Sequence, residues 1–147
     1  MSEANPKTHI LLVEDDEIDI MNVQRAFKRK DIDNPLYIAG NGVEALAMLR
    51  GEQGNYPTSR DVRKLILLDL NMPKMNGIEF LHELRKDPRL QSMVVIVLTT
   101  SDQERDRIEA YKLNIAGYIL KPVTFSKFVD VIEKLNNYWS ICEMSSL

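Results

Sequence analysis

Leu65-Ile66-Leu67-Leu68-Asp69-Leu70-Asn71-Met72-Pro73 decides how the rest of the chain is read. Four aliphatic residues run directly into an acid, and a proline and then Gly77 follow. An unbroken apolar run with no polar alternation suits a strand buried on both faces, as in a parallel sheet covered by helices. Asp69 then stands where the strand gives way to a loop. In an open α/β sheet the carboxyl ends of the strands line the ligand crevice. The stretch thus places a carboxylate at the edge of the core where chemistry is done.

The neighbouring segments repeat the pattern. Ile10–Val13 reads as a first buried strand that ends in Glu14-Asp15-Asp16-Glu17, followed by a helix with Ile18, Met21, Ala26 and Phe27 facing inward. Asp33-Asn34-Pro35 breaks that helix, Leu36–Ala39 forms a short strand, and Asn41-Gly42 leads into a helix over Val43–Arg50 buried through Leu46 and Leu49. Residues 51–64 are polar and punctuated by Gly and Pro, a long loop of the kind that often carries function. Gly77 opens a helix carrying Ile78, Leu81 and Leu84 that closes before Pro88, and Met93–Leu98 is a strand ending in Thr99-Thr100-Ser101. Ser101 and Glu104 have capping-box spacing for a helix to about Leu113. Tyr118–Leu120 is a last strand ending in Lys121-Pro122, and Thr124 caps a helix bearing Phe125, Phe128, Ile132, Leu135 and Trp139. Strands alternating with helices over short connections predict an α/β fold, a parallel sheet with helices on both faces.

Composition narrows the function. The 147 residues fit one domain, and a net charge of −3 gives no basic field for nucleic acid or an anionic membrane. No apolar run is long enough to span a bilayer and the start lacks a signal-peptide core, so the expectation is cytoplasmic. Cys142 is the single cysteine and is read as a free thiol, while His9 and His82 lack ligand spacing and are read as non-catalytic.

The residues at the strand ends are Glu14, Asp15 and Asp16, then Asp69, Thr99 and Lys121. In a parallel sheet all lie along one edge. Several carboxylates in a partly dry cleft repel one another unless a cation neutralises them. Mg²⁺ suits such oxygen ligands, taking one or two carboxylates and a phosphate oxygen. Lys121 offers an ammonium for the remaining phosphate charge, Thr99 a hydroxyl, and an aspartate can itself be a phosphorylated nucleophile. The chemistry inferred is phosphoryl transfer onto Asp69.

Four segments together resemble the receiver domain of response regulators of the chemotaxis type. They are Leu12–Asp16, Leu68–Pro73 with Gly77, Val97–Thr100, and Gly117–Pro122, within a match over about Thr8–Leu135. The resemblance implies a flavodoxin-like (βα)5 sheet of order 2-1-3-4-5, with residues 1–7 a flexible lead, 8–136 the receiver and 137–147 an extension of the last helix. It implies Asp69 as phosphoacceptor. The metal ligands implied for Mg²⁺ (or Mn²⁺) are Glu14, Asp15, Asp69 and the main-chain carbonyl of Asn71, Glu14 acting through water. Thr99 and Tyr118 become a switch pair, Lys121 the phosphoryl contact, and Lys121-Pro122 a cis peptide. Glu14 stands where the family more often has Asp, and Thr100 is bulkier than the small residue frequent there, making it a candidate modulator of access to Asp69. The implied donor is a phosphohistidine on a sensor histidine kinase.

The long loop and the tail with Tyr138-Trp139 are similar to free-standing regulators that partner bacterial phytochromes. Tyr138, Trp139 and Ile141 then form a candidate dimer patch, against the alternative that the tail folds over its own domain. With no DNA-binding domain expected after the fifth helix, signalling falls to a surface change around the fourth helix, fifth strand and fifth helix, read by a downstream protein. Two rivals stand beside this reading: an aspartate-nucleophile phosphatase on a similar sheet, which usually needs an acid where Asn71 stands, and a docking module on the same fold indifferent to phosphorylation. A flavodoxin lacks support, since no Gly/Ser/Thr-rich loop follows the first strand.

Overall fold

The computed structural model describes residues 7–142. In chain order the elements are β1 (His9–Val13), α1 (Glu17–Arg29), β2 (Leu36–Ala39), α2 (Gly42–Leu49), β3 (Lys64–Leu68), α3 (Gly77–Lys86), β4 (Val94–Thr99), α4 (Glu104–Lys112), β5 (Gly117–Leu120) and α5 (Phe125–Ile141). The strands form one sheet in the order β2-β1-β3-β4-β5, every pairing parallel.

Side chains alternate across a strand, so each apolar run supplies two cores. Leu11, Val13, Ile66, Leu68, Val95 and Val97 face one layer with α2 and α3, packing on Leu46, Leu49, Phe80 and Leu84. Ile10, Leu12, Leu65, Leu67, Ile96 and Leu98 face the other, against Ala26 and Phe27 of α1 and Phe128, Ile132 and Trp139 of α5. This is the physical reason the central runs are apolar at every position. On the α3 side, Arg85 donates to the carbonyls of Gln91 and Met93 (both 2.8 Å), Leu113 (2.7 Å) and Asn114 (3.0 Å), tying α3 to the turns before β4 and β5.

Several expectations are corrected. Ile18 and Met21 are 68% and 52% exposed, and the buried stripe of α1 is Val23, Ala26 and Phe27. The first turn of α1 serves the strand-end edge instead, as described below. Ser101 does not cap α4: the N-cap is Gln103 without a side-chain bond, and Ser101 Oγ reaches Asp106 Oδ2 at 2.6 Å. No cis peptide occurs among the described residues, so Lys121-Pro122 is trans, the form X-Pro bonds favour by about 0.5–1 kcal/mol. Trp139 is 1% exposed and packs on Phe27 with ring centroids 6.0 Å apart, which removes it from an exposed dimer patch. Burial of so large a ring in the α1–α5 core is worth more to one chain than exposure for a partner. Tyr138 and Ile141 remain exposed, and α5 includes them as regular helix. Tyr56 is buried from the polar loop, edge-on to Tyr37 at 5.1 Å.

Candidate phosphoacceptor site

Hydrogen bonding continues one residue past the strands, and this fixes the site. Glu14 N–H donates to the Ala39 carbonyl (2.9 Å), Asp69 N–H to that of Val13 (3.0 Å) and Lys121 N–H to that of Thr99 (2.8 Å). Backbones locked in this way bring Glu14, Asp69 and Lys121 together although they are far apart in sequence. Carboxylate oxygens of Glu14, Asp15 and Asp69 all lie within 4.8 Å of one another. These three, with Asp16, Asp19, Asn71, Thr100 and Lys121, line a cavity of about 240 Å³.

Lys121 is the electrostatic hub. Its Nζ donates to Glu14 Oε1 at 2.5 Å and to Asp19 Oδ2 at 2.8 Å, and stands 3.7 Å from Asp69 Oδ1. Glu14 is satisfied on its other oxygen by the Asp16 N–H at 3.2 Å. Asp69 is not: its Oδ1 is buried and has no hydrogen-bond partner. An unsatisfied buried acceptor of this kind is costly and calls for a ligand that completes it.

Burial raises the pKa of Asp69, with the nearby acids Asp15 and Asp19 adding to the effect and Lys121 and the Thr99 hydroxyl opposing it. Burial likewise pushes Glu14 up to about 7, against the bond and charge of Lys121. For Lys121, burial favours the neutral amine, but bonds to Asp19 and Glu14 outweigh it and leave its pKa raised. The cluster thus gathers several carboxylates around one lysine in a partly buried cavity, a donor set of hard oxygens suited to a divalent cation such as Mg²⁺ or Mn²⁺.

Asp19 was not singled out in the sequence. The signal lay in the capping pattern: Asp16 caps α1 by accepting from Ile18 N and Asp19 N, which turns the first-turn Asp19 toward Lys121. Thr99 is fully buried at the end of β4, and Thr100 is exposed at the cavity wall. Tyr118 stands apart from the acids. Its hydroxyl donates to the Ser101 carbonyl at 2.8 Å, and the Arg107 guanidinium lies 5.4 Å from its ring centroid. Thr99 and Tyr118 are linked through Ser101, whose N–H donates to Thr99 Oγ1 at 3.3 Å. His9 bonds Tyr37 and His82 bonds Glu109, both away from the cavity.

This fold and this strand-end cluster define a class. The response regulator receiver domain matches residues 10–133, and the chain belongs to that family. Members of the family are phosphorylated on an aspartate with a divalent metal. The chain is 39% identical over 137 residues to the response regulator Rcp1 of a Synechocystis species, covering 93% of this chain and 92% of that protein. Among solved structures, the phosphorylated cyanobacterial phytochrome response regulator RcpA is similar with a TM-score of 0.82 and 33% identity, over 96% of this chain and 99% of that one. The Mn²⁺-bound form of Rcp1 follows with a TM-score of 0.79 and 36% identity, over 97% of this chain and 100% of that one.

Proposed function

We propose that this receiver takes a phosphoryl group on Asp69 from the phosphohistidine of a sensor kinase, a bacterial phytochrome, in the cytoplasm. The observation that carries this is the buried, unpartnered Asp69 Oδ1, set between the Glu14–Asp15 pair and the Lys121 ammonium. Asp69 Oδ1 attacks the phosphorus, the P–N bond breaks, and its electron pair leaves with the imidazole, which takes a proton from solvent. Lys121 is close enough to bind the new phosphoryl oxygens and neutralise charge as it develops. Glu14, Asp15, Asp69 and the Asn71 carbonyl would hold Mg²⁺, which when bound offsets phosphoryl and carboxylate charge. Attack of water on the phosphorus, with cleavage of the P–O bond to Asp69 and release of inorganic phosphate, resets the chain. The phytochrome assignment draws on the likeness to RcpA, a cyanobacterial phytochrome response regulator, and on the length of that match. Phosphotransfer from an autophosphorylated phytochrome kinase tests it: label should pass to the parent chain and not to Asp69→Asn. Equal labelling of an unrelated receiver would remove the phytochrome assignment.

The output reading follows from Thr99, Ser101 and Tyr118. A phosphoryl group on Asp69 draws the Thr99 hydroxyl, and the Ser101 link carries the change to Tyr118 and the adjacent α4–β5–α5 face. That face exposes Ile108, Tyr111, Leu120 and Val123, enough apolar surface for a downstream protein to read. Of the expected dimer patch, Tyr138 and Ile141 are the exposed pair offered to a second copy of the chain.

Glu14 gives the metal affinity a pH dependence. Its pKa of about 7 in the folded chain lies above its ordinary 4.5, so the folded chain holds a proton there that the unfolded chain has lost. The contribution of Glu14 to the stability of the metal-free chain therefore falls as pH rises from about 4.5 through 7. A divalent ion competes with that proton, so affinity rises by up to about tenfold per pH unit below 7 and levels above it. Calorimetric Mg²⁺ titrations between pH 5.5 and 7.5 should show this slope, flattened in Glu14→Gln. A parent affinity constant with pH would contradict it.

Thr100 is exposed and lines the Asp69 cavity, and its bulk is the feature that would limit access to Asp69. Thr100→Ala is expected to raise the rate of labelling by acetyl phosphate several-fold, and equal rates would show that Thr100 does not limit access.

A further inference from the structure

At the opposite edge of the sheet a second cavity, of about 230 Å³, is unused by the phosphoacceptor site. Arg50 after α2, Arg60 in the long loop, Lys64 at the start of β3 and Arg89 before β4 all line it. Four cations converge here in a chain whose net charge is −3. One carboxylate answers two of them, Asp87, at 3.1 Å from Arg50 and 3.9 Å from Arg89. Lys64 donates to the Ser59 carbonyl at 2.6 Å, and neither it nor Arg60 is ion-paired among the described residues. Like charges lining one cavity repel, and an anion among them offsets the repulsion.

The floor has a different chemistry. Leu90 and Met93 are buried beneath the cations, and Tyr56, 6% exposed, lines the cavity with a buried hydroxyl that has no hydrogen-bond partner. Burial raises the pKa of that hydroxyl, so it stays a donor. A native structure rarely leaves such a donor unmatched unless a ligand or water completes it. The volume equals that of about eight liquid waters at about 30 Å³ each, the scale of a small organic molecule.

We propose that this cavity binds a small organic anion: its phosphate or carboxylate head among Arg50, Arg60, Lys64 and Arg89, its apolar body on Leu90, Met93 and the Tyr56 ring. Apolar walls with a few convergent polar groups are the usual make-up of a ligand site. The long loop, which supplies Tyr56 and Arg60, is what closes this site.

Phenyl phosphate is the probe, followed by ¹H–¹⁵N NMR on the full chain in EDTA so that the Asp69 edge holds no metal. Saturable shifts are expected at Tyr56, Arg60, Arg89 and Leu90, with the Asp69 amide unmoved. Arg60→Ser with Arg89→Ser, both exposed positions and safe for folding, should weaken binding at least tenfold. Tyr56→Phe should fold and weaken it severalfold. Non-saturable shifts, shifts confined to the Asp69 edge, or parent-like affinity in the arginine double variant would overturn the site. Equal affinity for inorganic phosphate would overturn the apolar half, and equal affinity for phenol the anionic half.

Discussion

Lys121→Ala is expected to unfold at markedly lower urea concentration than the parent in EDTA at pH 7.5, and to recover part of the loss with Mg²⁺. The parent ammonium bonds Glu14 and Asp19 and stands 3.7 Å from Asp69. Glu14 and Asp69 are 2% and 5% exposed, so water replaces it poorly. Removing one partner of a buried charge pair costs about 3–5 kcal/mol because the other is left uncompensated. The sign with pH follows from Glu14, whose carboxyl burial raises to about 7 even beside Lys121. At pH 5 it holds its proton and the penalty shrinks, and the penalty grows as pH rises through 7. Lys121→Arg restores charge with a planar fork in place of a point ammonium, so stability should return further than phosphorylation does. A Lys121→Ala chain as stable as the parent in EDTA at pH 7.5 would show that the acids are not held by this lysine.

Gly77→Ala should disable the same site from the backbone. A Cβ on Gly77 would come within 2.6 Å of the Asp69 carbonyl oxygen and 2.7 Å of Leu70 Cα. Both are main-chain atoms, and Gly77 N–H is itself bonded to the Leu70 carbonyl at 3.0 Å. Alanine gains up to about 1 kcal/mol of helix propensity over glycine. Overpacking costs about 1–3 kcal/mol or more where neighbours cannot give, and here they are backbone, so the clash wins. The atom forced to shift is in the phosphoacceptor residue, and a misplacement of about 1 Å can cost about a hundredfold in rate. Labelling by acetyl phosphate should fall at least tenfold in a chain that keeps its helical circular dichroism. Gly117→Ala is the control, because a Cβ there meets nothing within 4 Å. Parent-like labelling in Gly77→Ala would mean the loop relaxes freely.

What the sequence made legible was whatever the strands dictate. The apolar runs 10–13, 65–68 and 94–98 lie at the centre of the sheet, and the acids after the first two converge with Lys121, which follows the edge strand β5, because parallel strands share one carboxyl edge. Helix phase was harder to read. Ile18 and Met21 fit an apolar stripe by spacing, but the capping by Asp16 and the pull of Lys121 on Asp19 commit the first turn of α1 to the site, so the stripe begins at Val23. Ser101 matched a capping box in spacing alone. Its bonds to Thr99, Tyr118 and Asp106 hold it in the loop before α4. Trp139 satisfied both the core stripe of α5 and an exposed patch, and only packing on Phe27 separates the two. Tyr56 gave no periodic signal because its burial depends on Tyr37, a neighbour in space from β2.

The central claim is that Asp69 takes the phosphoryl group with a divalent ion beside it. Mass spectrometry of the chain incubated with acetyl phosphate and Mg²⁺, followed by mapping of the modified peptide, addresses it directly. A gain of about 80 Da on the Asp69 peptide is predicted, absent in EDTA and in Asp69→Asn. A gain that persists in Asp69→Asn, or a parent chain that acquires none, would contradict the account.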